Sequence, residues 1–163
     1  MSAETNLHNV TATRHFDAPV ATVWKAWSDP DKVKQWWGPT GFTVPVANMD
    51  FREGGTSLIC MRSPDGQDFY NTWTYQKLVP AERIEFLLHF TDIEGNKLDP
   101  TQAGLPPGIP KEVPHIITFK ALGDNKTEMT VTEIGYTTAQ SAEISQMGLD
   151  QCLDKMEKLL ASS

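Results

Sequence analysis

Two periodicities divide the chain. From Leu7 to Asp17, Val10, Ala12, Arg14 and Phe16 alternate with Asn9, Thr11, Thr13 and His15. That is the period of two expected of a half-buried strand. Asp17-Ala18-Pro19 breaks the run, with Asp17 predicting a helix N-cap and Pro19 suiting a first helical turn. Val20, Val23, Trp24 and Trp27 then recur at helical spacing, which predicts a short helix ending near Ala26. Ser28-Asp29-Pro30 starts a second short helix, Asp31 to Trp36 or Trp37, and Gly38-Pro39 stops it.

From Phe42 the period of two returns. Strands are predicted at 42–50, 56–62, 68–78, 83–90, 113–122 and 126–134, with turn chemistry at Gly54-Gly55, Ser63-Pro64-Asp65-Gly66, Pro80-Ala81-Glu82 and Gly123-Asp124-Asn125. The segment 91–114 stands apart, with little periodicity and five of the eleven prolines (Pro100, Pro106, Pro107, Pro110, Pro114). A loop of that length serves either as a lid or as a surface insertion.

The last stretch, Ala142–Leu160, changes period again. Ile144, Leu149, Cys152, Leu153, Met156, Leu159 and Leu160, with Met147 beside them, form an apolar stripe. Asp150, Asp154, Lys155, Glu157 and Lys158 take the other side, and Asp154–Lys158 is an acid-before-base pair. The order is therefore β, α, α, six strands, then a long α. Short turns between consecutive strands imply an antiparallel sheet, and the long helix must cover its apolar face. The expected class is α+β, a curved sheet wrapped around the C-terminal helix, in one domain spanning 1–163.

Composition narrows the function classes. Fourteen basic against 21 acidic residues leave a net charge of −7 without a basic cluster, which opposes nucleic acid and anionic membrane surfaces as partners. The N-terminal stretch MSAETNLHNV has no basic start followed by an apolar run, and no segment approaches the roughly 20 apolar residues of a membrane span. The expected location is the cytoplasm. Cys60 and Cys152 read as reduced core thiols. The four histidines are scattered and no Cys-x-x-Cys occurs, so neither a metal nor a cofactor is expected. There is no nucleophile elbow and no phosphate loop.

Several runs together resemble a known family. They are Thr13-Arg14-His15-Phe16-Asp17-Ala18-Pro19, Val23-Trp24-Lys25-Ala26-Trp27-Ser28-Asp29-Pro30 and Gln35-Trp36-Trp37-Gly38-Pro39, followed by Asp50-Phe51-Arg52-Glu53-Gly54-Gly55, Met61–Gly66 and Pro80–Ile84. In this order, ahead of a terminal helix containing Gly148, they are similar to the activator-of-Hsp-90-ATPase-like group of the START/polyketide-cyclase (SRPBCC, Bet v 1-like) superfamily. The resemblance covers nearly the whole chain. It implies a helix-grip fold: a seven-stranded antiparallel sheet around a long C-terminal helix, with two short helices after the first strand. It also implies a cavity between sheet and helix that holds hydrophobic ligands in many relatives. One departure is Gly148-Leu149, where relatives often carry Gly-Trp.

The expected function is binding of a small apolar or aromatic molecule in that cavity. The alternatives are a cyclase- or dehydratase-like enzyme using the same cavity, or a module that touches a chaperone; a homodimer is a further possibility that the family implies. The cavity candidates are Trp37, Asn71, Trp73, Tyr75, Phe86, Leu88, His115, Ile117, Met147 and Leu149. His115, Tyr75 and Glu133 are the candidates for proton transfer. Core packing is the simpler reading for Trp24 and Trp27, whereas one of Trp36 and Trp37 is expected to face away from the core, at the cavity entrance. Arg14, Arg52 and Arg62 read as ion-pair partners.

Overall fold

Alternation along β1 (His8–Phe16) buries Val10, Ala12 and Phe16 and leaves the residues between them facing solvent. In this computed structural model, which describes residues 7–105 and 107–161, helices α1 (Val20–Ser28) and α2 (Pro30–Trp36) carry the chain to β2 (Thr43–Asn48). The strands β3 (Thr56–Arg62), β4 (Asp68–Val79), β5 (Arg83–Thr91), β6 (Glu112–Gly123) and β7 (Lys126–Tyr136) follow, and α3 (Ala139–Ala161) closes the chain. One seven-stranded sheet results, in the order β1-β7-β6-β5-β4-β3-β2, with every neighbouring pair antiparallel. This is the helix-grip arrangement. Pro106 and the first six residues of the N-terminal stretch lie outside the described residues. Among the described residues no helix is long and apolar enough to cross a membrane.

One detail of the short helices corrects the sequence reading. Asp17 does not cap α1. Pro19 is the N-cap residue and makes no side-chain cap, its carbonyl accepting from the N–H groups of Thr22 and Val23 at 2.9 and 3.1 Å. The chain turns into the helix through the fixed φ of proline, two residues past Asp17. α2 follows the rule, with Asp29 Oδ1 accepting from the Asp31 N–H at 2.9 Å and Pro30 in the first turn.

Along α3 the apolar stripe holds only from Leu149 onward: Leu149, Cys152, Leu153, Met156 and Leu160 are buried, whereas Ile144 and Met147 are exposed. Met147 lies two residues before Leu149, about 200° round the helix, so it faces solvent when Leu149 faces the sheet. Thr138 caps this helix, its hydroxyl accepting from the Ser141 N–H at 3.0 Å. The acidic flank of α3 is engaged with β1. Arg14 lies 3.0 Å from Asp154, 3.5 Å from Glu157 and 3.9 Å from Asp150, and donates to the Asp150 carbonyl at 3.1 Å. Asp154 thus pairs across elements with Arg14 instead of along the helix with Lys158. Arg52 pairs with Asp50 and Arg62 is bidentate on Asp68.

The proline-rich segment is more ordered than its composition suggests. It opens as a tight reversal in which the Asp92 carboxylate accepts from the N–H groups of Glu94 and Asn96, and Thr91 bridges to Lys97. Further on, the Gly108 carbonyl accepts from the Thr137 N–H at 2.9 Å and from the Ser141 hydroxyl at 3.1 Å. A side chain at position 108 would collide there, because an added Cβ would stand 2.5 Å from the Thr138 hydroxyl. The segment is docked on the β7–α3 corner. Pro114 is not in the loop; it stands within β6, opposite Leu87.

Candidate functional site

Register places a lateral row of side chains across the face of the sheet turned toward α3. Tyr75 pairs with Phe86, Phe86 with His115, and His115 with Glu133. Trp73, Phe86 and His115 stack almost parallel, with centroids 4.7 Å apart at both steps and interplanar angles of 14° and 15°. His115 and Glu133 are 3% and 7% exposed, deep burial for two ionisable groups. His115 Nδ1 lies 3.0 Å from the Val113 carbonyl oxygen, and Nε2 lies 3.6 Å from Glu133 Oε2. The other Glu133 oxygen accepts from the Tyr136 hydroxyl at 2.5 Å.

This trio lies at one side of a cavity of about 150 Å³ between the sheet and α3. Leu88, Phe90 and Val113 form the sheet wall, and Gly148, Leu149 and Cys152 the helix wall. Trp37 and Pro39 close it from the end of α2, and Asn71 and Met61 complete the sheet side. The α2 terminus explains the adjacent tryptophans. The helix stops at Trp36, whose indole donates to the Ala26 carbonyl at 2.6 Å, and Trp37 continues in extended backbone (φ −70°, ψ 141°). Both rings are therefore buried, against the expectation that one would turn outward. The Trp37 indole N–H finds no partner among the described residues. Among the described residues of 91–114 only Val113, on β6, lines the cavity.

Of the sequence-derived candidates, the cavity wall takes Trp37, Asn71, Leu88, His115, Leu149 and Glu133. It does not take Trp73, Tyr75, Phe86 or Ile117, which are fully buried core. Trp73 and Phe86 stand where a short helix already covers the sheet, Trp27 packing against both, and Tyr75 packs edge-on against Phe51. Met147 is excluded because it points to solvent. Tyr75, a candidate for proton transfer, bonds to Ser57 at 2.8 Å, and Tyr136 supplies the phenol at Glu133. Tyr136 was not among the candidates. Its signal was Gly135, whose positive φ of 104° bends the strand end so that Tyr136 turns inward.

The buried thiols are inert: Cys60 and Cys152 are both free, and burial pushes the Cys152 thiol up to about 12. Among the described residues no group of three or more His, Cys, Asp and Glu could hold a metal ion.

Burial holds the phenols of Tyr75 and Tyr136 well above the ordinary tyrosine value, and the Glu133 charge pushes Tyr136 further. A group whose folded value is raised contributes stability that is complete below the unfolded value, about 10, and is lost as pH climbs toward the folded value. The two phenols together should remove up to about 3 kcal/mol between pH 9 and pH 11, at about 1.4 kcal/mol per pH unit for each. In an alkaline titration, tyrosinate absorbance from these two residues should therefore appear together with loss of the circular dichroism signal. Ionisation of all tyrosines with the fold intact would contradict this.

Comparison with known proteins places this architecture. Residues 17–161 match the family described as Activator of Hsp90 ATPase homolog 1-like protein. No curated protein matches. Among solved structures, a protein from Chromobacterium violaceum is 25% identical, with a TM-score of 0.77 over 93% of this chain and 96% of that one. A Mycobacterium smegmatis protein is also 25% identical, with a TM-score of 0.74 over 95% and 91%. The AHSA1 protein of Silicibacter pomeroyi, at 18% identity, shares the fold with a TM-score of 0.77 over 94% and 98%. The chain belongs to the Activator of Hsp90 ATPase homolog 1-like family.

Proposed function

We propose that this family member binds a small apolar or aromatic molecule, about the size of one ring, between its sheet and α3. The carrying observation is the cavity of about 150 Å³, walled by Leu88, Phe90, Val113 and Leu149. An apolar cavity of roughly 150 Å³ is large enough to hold benzene, whereas drug-sized ligands occupy about 300 Å³ or more. The family's fold commonly holds hydrophobic ligands, and the volume here narrows that class to single-ring guests.

A second reading, acid–base chemistry on the bound molecule, draws on His115, Glu133 and Tyr136 at the cavity wall. Titration with toluene and with a two-ring analogue, followed by calorimetry, tests the first reading. Toluene should saturate one site per chain, and the two-ring analogue should not bind. Gly148→Leu, which fills the space beside Pro39, should abolish the toluene signal. No saturation by any one-ring compound up to its solubility limit would end the proposal. Mass spectrometry of the recovered ligand separates the readings, since a carrier returns its guest unchanged.

A further inference from the structure

We infer that the ligand carries a hydrogen-bond donor, as a phenol does, and places it on the acceptor pair formed by His115 Nε2 and Glu133 Oε2. The inference rests on the cavity-binding reading above and adds the chemistry of the guest. It follows from counting protons. A backbone carbonyl can only accept, so the 3.0 Å contact between His115 Nδ1 and the Val113 oxygen fixes the proton on Nδ1. In the neutral imidazole, Nε2 then presents a lone pair. Glu133 Oε1 already takes the Tyr136 proton at 2.5 Å, which leaves Oε2 as a second acceptor.

The two acceptors face each other at 3.6 Å. That distance is too long for a direct hydrogen bond, and with a neutral imidazole no proton lies between them. Both atoms belong to side chains more than nine-tenths buried, where an unmet acceptor is costly. Neither side chain can swing away to find a partner. The His115 ring is held by its stack on Phe86 (4.7 Å, 15°), and the Glu133 carboxylate by Tyr136. The remaining space beside them is the cavity, whose other walls are apolar apart from the Asn71 amide, the Ser145 hydroxyl and the Trp37 indole N–H. A ring filling that space with a hydroxyl or amino group at its edge supplies the missing proton. A plain hydrocarbon of the same size leaves both acceptors unmet.

Toluene and phenol form the test pair, since they match in volume and differ by a methyl against a hydroxyl. A dry cavity without acceptors favours toluene, because phenol must shed its water for nothing. Here calorimetric titration of the full chain should rank phenol at least about tenfold tighter than toluene, as hydrogen bonds to charged acceptors discriminate by that much or more. In Glu133→Gln the amide donates to His115 Nε2 from within the protein, so the phenol-to-toluene ratio should fall to about one or below.

Should that variant not fold, the imidazole nitrogen shifts of His115 in the unmodified chain decide, phenol moving Nε2 and toluene leaving it in place. Toluene binding equal to or tighter than phenol would overturn the donor requirement and leave the cavity reading standing. A preference for phenol that survives Glu133→Gln would overturn the assignment to this pair. Binding of neither would overturn both readings.

Discussion

Trp27→Ala is expected to cost about 3–5 kcal/mol of folding stability, the range for removing a large aromatic from a packed core. Against a typical total of about 5–15 kcal/mol this is a large fraction. Trp27 is 1% exposed and sits at the junction of α1, α2 and the sheet. Its ring lies 4.5 Å from Trp36 at 64°, 6.0 Å from Trp73 and 6.4 Å from Phe86. Its indole N–H points to Met129 Sδ at 3.2 Å.

The neighbours of Trp27 are themselves large and locked by their own contacts, so the space left by alanine cannot close by a small shift. Urea denaturation should show the transition midpoint falling with an unchanged slope. A loss below about 1 kcal/mol would mean that α1 repacks freely and that the aromatic cluster is not one unit. The effect should reach the cavity, since Trp27 backs Phe86 and Phe86 carries the His115 ring.

The framework of this molecule was readable because its elements announce themselves locally. Ser63–Gly66 punctuates the chain so clearly that β3 falls at 56–62 both in the pattern and in the structure. The site was harder to read, because it depends on register. A hairpin centred on Asp124 and Asn125, with Gly123 opposite Lys126, would set Ile134 across from His115. A shift between Ala121 and Gly123 moves the pairing by one residue and brings Glu133 there instead. A glycine at the end of a strand is the only trace of that shift in the sequence. The same limit applies to Tyr75 and Met147. Strand parity placed Tyr75 on the buried face, but the pattern could not tell that Phe51 and Ser57 engage it there. The helical stripe could be extended through Met147 only by ignoring the 200° that separates it from Leu149.

The second large effect lies in the buried polar trio. His115→Leu should cost about 1–3 kcal/mol, because the buried Val113 carbonyl loses its donor and the Glu133 carboxylate then faces apolar surface. Glu133 would keep only the Tyr136 hydroxyl, and the Val113 carbonyl would lose the donor at 3.0 Å. Replacing the whole trio with apolar residues of similar shape (His115→Leu, Glu133→Leu, Tyr136→Phe) removes the carboxylate and the phenol together with the imidazole. That triple variant should regain part of the loss, since replacing both partners of a buried hydrogen bond by apolar groups of similar shape is nearly neutral. Denaturation of the single and triple variants side by side measures the difference. A triple variant no more stable than His115→Leu would make the trio part of what holds the sheet to α3. Recovery would mean that the fold does not need these three polar groups. Their place at the wall of an apolar cavity would then be explained by what they do to a guest.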